Sequence, residues 1–152
     1  MRVVPDHESE APPDRAGNDG AGPGDGLHPG SSSPLLEICN AIVRLYKMAF
    51  GRGPTHARAR FAGPDTLVVL LQDTMTVSER KLAAIGEHER LRGHRLLLHT
   101  VVEDEIRAVV EEALERTALS VIGGLDPHRD IAAEVVVLAP LAHSGREAPS
   151  VP

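Results

Sequence analysis

Tyr46-Lys47-Met48-Ala49-Phe50-Gly51-Arg52-Gly53-Pro54-Thr55 is the stretch on which the fold turns. Upstream of it Leu35, Ile38, Cys39, Ile42, Leu45, Tyr46 and Ala49 recur at three-and-four spacing, with Glu37, Arg44 and Lys47 on the other side. That is the signature of an amphipathic helix. Ser33 can cap it and Pro34 can occupy its first position, where a missing N–H costs nothing. Gly51 supplies the left-handed residue that ends helices, and Pro54 forbids continuation. A helix over about 34–50 must therefore stop here and an extended segment begin.

Working outward, His56, Arg58 and Arg60 alternate with Ala57, Ala59 and Phe61, the period of a half-exposed strand. Gly63-Pro64-Asp65 has turn chemistry, and Thr66 to Gln72 reads as a more buried strand that closes a hairpin. Thr76-Val77-Ser78-Glu79 fits the capping box and predicts a helix to about Ile85. Gly86 breaks it. Leu91, Leu98, Val102, Ile106, Val109 and Ala113 then trace one face of a long helix to about Arg116, with Glu103, Asp104, Glu111, Glu112 and Glu115 outward. Ala118 to Ile122 and the valine-rich Ile131 to Leu138 read as a second hairpin around a polar loop, Leu125 to Asp130, with Gly123-Gly124 ending the first strand. The order α-β-β-α-α-β-β predicts an α+β domain over 34–140: a four-stranded, mainly antiparallel sheet with helices on one face. Residues 141–152 read as a frayed end. Residues 1–33 hold six acidic and two basic side chains, clustered Gly and Pro and no apolar run, and read as a disordered acidic tail.

Composition narrows function by exclusion. With two Phe, one Tyr and no Trp there are few platforms for stacking bases, and a net charge of -6 opposes nonspecific attraction to nucleic acid or an anionic membrane. No nucleic-acid partner is expected. The chain has no stretch near the ~20 apolar residues that span a bilayer and no apolar leader, so no direct membrane insertion is expected. Cys39 is alone, cannot close an internal disulfide and sits in the apolar stripe, which fits a cytoplasmic location. Of the eight histidines, His88, His94 and His99 share a helix, but separations of six and five do not put two imidazoles on one face. No metal, no cofactor and no catalytic residue is expected: nucleophile elbow, phosphate loop and HExxH are all missing.

The candidate binding residues lie at the opening stretch. Arg52 is held between two glycines, followed by Gly53, His56, Arg58 and Arg60, a basic corner in an acidic protein. Glycine lets a ligand approach the backbone and a guanidinium grips carboxylates or phosphates with two hydrogen bonds. The corner could thus take a small anion, a metabolite or an acidic partner; equally, the glycines cap and turn while the arginines solvate an edge strand.

Three strings in this order, Tyr46-Lys47-x-x-Phe50-Gly51-Arg52-Gly53-Pro54, Leu67-Val68-Val69-Leu70-Leu71 and Thr76-x-x-Glu79-x-x-Leu82, resemble the MpsC-like family over about residues 34–139. That family is named for the third component of a sodium-translocating membrane-potential-generating system. The resemblance implies association with a membrane transport complex through a protein partner and carries no catalytic residues. The expectation is a non-enzymatic accessory or interaction domain that forms a homo-oligomer through the apolar side of its sheet or its long helix. The alternative is a small-anion or metabolite binder using the Gly51–Pro54 corner.

Overall fold

The computed structural model describes residues 32–141; the readings of 1–33 as a tail and 141–152 as a frayed end lie outside them, apart from the few residues at the boundary. Seven elements follow in order: α1 (Pro34–Phe50), β1 (His56–Phe61), β2 (Thr66–Gln72), α2 (Val77–Ala84), α3 (His88–Leu114), β3 (Ala118–Asp126) and β4 (Ile131–Leu138). The strands form one antiparallel sheet in the order β1-β2-β4-β3. The fold is α+β, as the element order predicts.

Helix ends follow local chemistry, with two departures. Gly51 closes α1 at φ 76°, in open space where only the backbone angle requires glycine. Gly53 is needed for a different reason: a Cβ there would lie 3.1 Å from the Val43 carbonyl oxygen. Thr76 and Glu79 make the predicted capping box, the Glu79 amide donating to Thr76 Oγ1 at 3.2 Å and the Thr76 amide to Glu79 Oε2 at 2.7 Å. Ser33, by contrast, makes no side-chain cap; its carbonyl accepts from the Leu36 and Glu37 amides. The long helix stops at Leu114 rather than Arg116 because Glu115 turns left-handed, φ 51°. Arg116 is thereby released to donate to Pro64 O, Asp65 Oδ1 and Ala139 O, tying the first hairpin to the end of β4.

The two faces of the sheet differ in kind. Leu67, Val69 and Leu71 of β2, Ala132, Val136 and Leu138 of β4, and Val121 and Leu125 of β3 point inward and are buried with Ile38, Ile42 and Tyr46 of α1 and Leu91, Val102, Ile106 and Val110 of α3. Each such side chain contributes about 1.5–3 kcal/mol by leaving water. The first strand of the second hairpin differs from expectation: β3 does not end at Gly123-Gly124 but runs through them to Asp126, paired with β4 continuously from Ser120. Asp130, at φ 51°, closes that hairpin and reaches across to the β2–α2 connection, its Oδ1 accepting from the Thr74 and Met75 amides at 2.8 and 2.9 Å.

Candidate functional site

On the inner face, α1, α3 and the β3–β4 ladder enclose a pocket of about 350 Å³. Its floor is polar where the pattern of β4 demands an apolar residue. Glu134 follows Ala132 and precedes Val136 at inward positions, and it is fully buried. Tyr46 donates its phenol to Glu134 Oε1 at 2.6 Å, and His99 Nε2 lies 2.7 Å from Oε2. A buried carboxylate is tolerable only when its lone pairs are engaged, and both oxygens here are. Because a carboxylate only accepts, His99 carries its proton on Nε2.

Gly123 makes room for this arrangement. It pairs with Glu134 across the β3–β4 ladder, and a Cβ at its position would stand 2.1 Å from His99 Cδ2. Gly123 thus sits in a strand where a ring packs against it, not where the chain turns, while a Cβ at Gly124 would meet nothing within 4 Å.

A second buried pair forms the wall toward α2. Arg95 donates through Nε and Nη2 to the two oxygens of Glu79, at 2.5 and 2.7 Å, and through Nη2 to the Thr74 carbonyl at 2.8 Å. Its guanidinium carbon sits 4.5 Å above the centre of the Phe50 ring, which in turn meets Tyr46 edge to face at 4.9 Å. Arg92 stands at the mouth, its Nε 3.4 Å from the Leu125 carbonyl. Leu96, Leu125 and Ala132 complete an otherwise apolar lining.

These environments set protonation. The hydrogen bond to Glu134 raises the His99 pKa; burial opposes this, and the charges of Glu134 and Glu103 add to the rise. Burial would raise the Glu79 carboxyl, but the Arg95 guanidinium and the Thr76 cap outweigh it and hold that group below its ordinary value. Burial first, then the charge and hydrogen bond of Glu134, push the Tyr46 phenol far above its ordinary value, so it stays a donor. Burial also raises the Cys39 thiol, which suits packing rather than nucleophilic attack.

The sign of the linkage follows. A histidine whose folded pKa is raised contributes stability that is complete below its unfolded value of 6.5 and is lost as pH rises through the folded value. Tyr46 acts in the same direction but only above its own unfolded value of 10.0, and Glu79 acts on the acid side, below 4.5. Thermal melts should therefore fall as pH rises above 6.5 and remains short of 9.0, where the raised Cys39 thiol begins to act in the same direction, and His99→Gln, which can still donate to Glu134, should flatten that slope. A wild-type slope identical to that of the glutamine variant would contradict the assignment.

The residues singled out at the basic corner are placed elsewhere. Arg52 Nε donates to the Asp73 carbonyl at 3.2 Å, and Gly53 packs under α1. His56, Arg58 and Arg60 project from the outer face of the edge strand β1, with His56 Nδ1 3.2 Å from Thr55 Oγ1. His56 and Arg58 border a shallow groove of about 160 Å³ with Leu70 and Gln72. The structure brings these three side chains to one edge, and none of the five lines the inner pocket. Sequence reasoning passed over Arg95 and Glu134 and weighed His99 only as a metal ligand, although a signal existed. Leu91, Arg95, His99, Val102, Ile106 and Val110 hold one buried stripe of α3, so two polar residues occupy positions that periodicity assigns to the core.

Among the described residues no cluster of His, Cys, Asp and Glu is arranged to hold a metal ion, and no helix is long and apolar enough to cross a membrane. Comparison with curated proteins and with solved structures finds no match. The family described as "Na+-translocating membrane potential-generating system (MpsC)" matches residues 35–140, which takes in every helix and strand but the first residue of α1. The chain belongs to that family.

Proposed function

We propose that the chain is a non-enzymatic accessory domain of a Na+-translocating membrane potential-generating system, working on the cytoplasmic side as a homodimer joined through the outer face of its sheet. The family description supports the link to the membrane system. The observation that carries the dimer is a sheet face that none of the described residues covers. Val68 and Leu70 of β2, Ile131, Ala133, Val135 and Val137 of β4 and Ile122 of β3 point away from all three helices. A solvated antiparallel face is ordinarily polar, and a contiguous apolar one marks an interaction site.

Charge favours a second copy as the occupant and sets its orientation. Across the outer face the register forms rows: His56, Gln72, Ile131, Asp126; then Arg58, Leu70, Ala133, Gly124; then Arg60, Val68, Val135, Ile122. A two-fold axis across the strands would stack the cationic β1 edge on itself. An axis parallel to the strands lays β1 of one copy over β3 of the other, with His56 above Asp126 and Arg58 above the space left by Gly124.

Sedimentation velocity tests the reading. The wild type should sediment as a dimer and Val135→Lys as a folded monomer. Leu97 and Val101, 68% and 69% exposed on α3, provide the contrast. A monomeric wild type, or a dimer lost in Val101→Lys and kept in Val135→Lys, would overturn it.

A further inference from the structure

The inner pocket lies on the opposite side of the sheet from the proposed dimer face and has its own chemistry. Its volume of about 350 Å³ falls at the small end of the ~300–1,000 Å³ typical of ligand sites. Its apolar wall comes from Phe50, Leu96, Leu125 and Ala132. Its polar groups are unequal in what they leave free. Each oxygen of Glu134 already accepts a hydrogen bond, from Tyr46 or His99, and each oxygen of Glu79 accepts one from Arg95. Arg95 uses Nε and Nη2, and among the described residues its Nη1 makes no hydrogen bond. Arg92 adds a second guanidinium at the mouth, its side chain 43% exposed, with Nη1 on the exposed Glu89 and Nε on the Leu125 carbonyl. The balance of uncommitted donors is therefore positive, set at the edge of an apolar chamber.

We propose that this pocket binds a small monocarboxylate with a short apolar chain, the chain lying against Phe50, Leu125 and Ala132 and the carboxylate meeting Nη1 of Arg95 and the guanidinium of Arg92. The buried ion pair with Glu79 fixes Arg95 on the Phe50 ring, so the donor is oriented before the ligand arrives and little side-chain freedom is lost on binding. A carboxylate there gains charge-assisted hydrogen bonds in a partly desolvated site, where they are stronger than in water. A neutral chain of the same length keeps only the apolar contribution, and an ammonium of the same length meets two guanidinium groups.

The experiment is titration of the isotope-labelled full chain with octanoate, octanol and octylammonium, followed by amide NMR. Octanoate should bind saturably, with the largest shifts at Gly123, Gly124 and Leu125, and about tenfold more tightly than octanol, the worth of one charge-assisted hydrogen bond. Octylammonium should not saturate. Arg92→Ala, at an exposed position, should keep the fold and lose about the same factor for octanoate alone. Ala132→Leu, which fills the chamber, should abolish octanoate binding while the spectrum stays dispersed. Octanol binding as tightly as octanoate, a preference for octylammonium, shifts centred elsewhere, or an Ala132→Leu variant that still binds would each overturn the proposal. Loss of the dimer in sedimentation would leave it untouched, since the pocket is built within one chain.

Discussion

Glu134→Ala is expected to destabilise the protein by about 3–5 kcal/mol, the cost of removing one partner from a buried charged network. The substitution takes away a fully buried side chain that satisfies two others at once. The Tyr46 phenol and the His99 imidazole would then sit in the core with no acceptor, and each pays the desolvation of an unmet donor. Against a total stability of about 5–15 kcal/mol for a domain of this size, that is a large fraction. The triple variant Tyr46→Phe, His99→Leu, Glu134→Leu should recover most of the loss, because an apolar replacement leaves nothing unsatisfied. Urea unfolding at one protein concentration, followed by far-UV circular dichroism, measures both. A single variant within 0.5 kcal/mol of the wild type, about the spread of neutral surface changes, would show that the three side chains do not act as a network.

Gly123→Ala should cost about 1–3 kcal/mol or more, an unusual penalty for adding one methyl to a strand. The reason is local: the new Cβ would meet His99 Cδ2 at 2.1 Å and Nε2 at 2.3 Å. The ring cannot swing away without giving up Glu134. The same substitution in a His99→Ala background should be nearly free, since the obstacle is gone and alanine suits a strand better than glycine. The two changes are therefore expected to be strongly non-additive, with a coupling energy of about 0.5–3 kcal/mol. Additivity in a double-mutant cycle would mean that Gly123 serves the backbone and not the ring.

These two residues also show where the sequence could be read and where it could not. The helix end at Gly51, the capping box at Thr76 and the alternation of β1 are local: backbone angles and solvent decide them, and the residues say so. Gly123-Gly124 is locally a turn signal, yet both lie in β3, and the histidine arriving from α3 accounts for the glycine at 123. In the same way a run rich in valine with one glutamate reads as a strand with a blemish. That Glu134 faces inward follows from period two with Ala132 and Val136, and that it is satisfied depends on Tyr46 and His99, 88 and 35 residues away. Arg95 and His99 were hidden for the opposite reason. Tracing the helix through apolar residues alone skipped the two polar side chains that share its buried stripe. The basic corner drew notice because its residues are adjacent in the chain; the pocket was missed because its residues are not.

The sheet face that none of the described residues covers is the proposed dimer interface, and its geometry can be read directly. In a sample mixed from isotope-labelled and unlabelled chains, isotope-filtered NMR detects only contacts between copies. The parallel axis predicts methyl contacts between Val68 of one copy and Val135 of the other, and between Leu70 and Ala133, because those rows come to lie over each other. Contacts confined to Leu97 and Val101, or a sample with no contacts between copies at all, would contradict it.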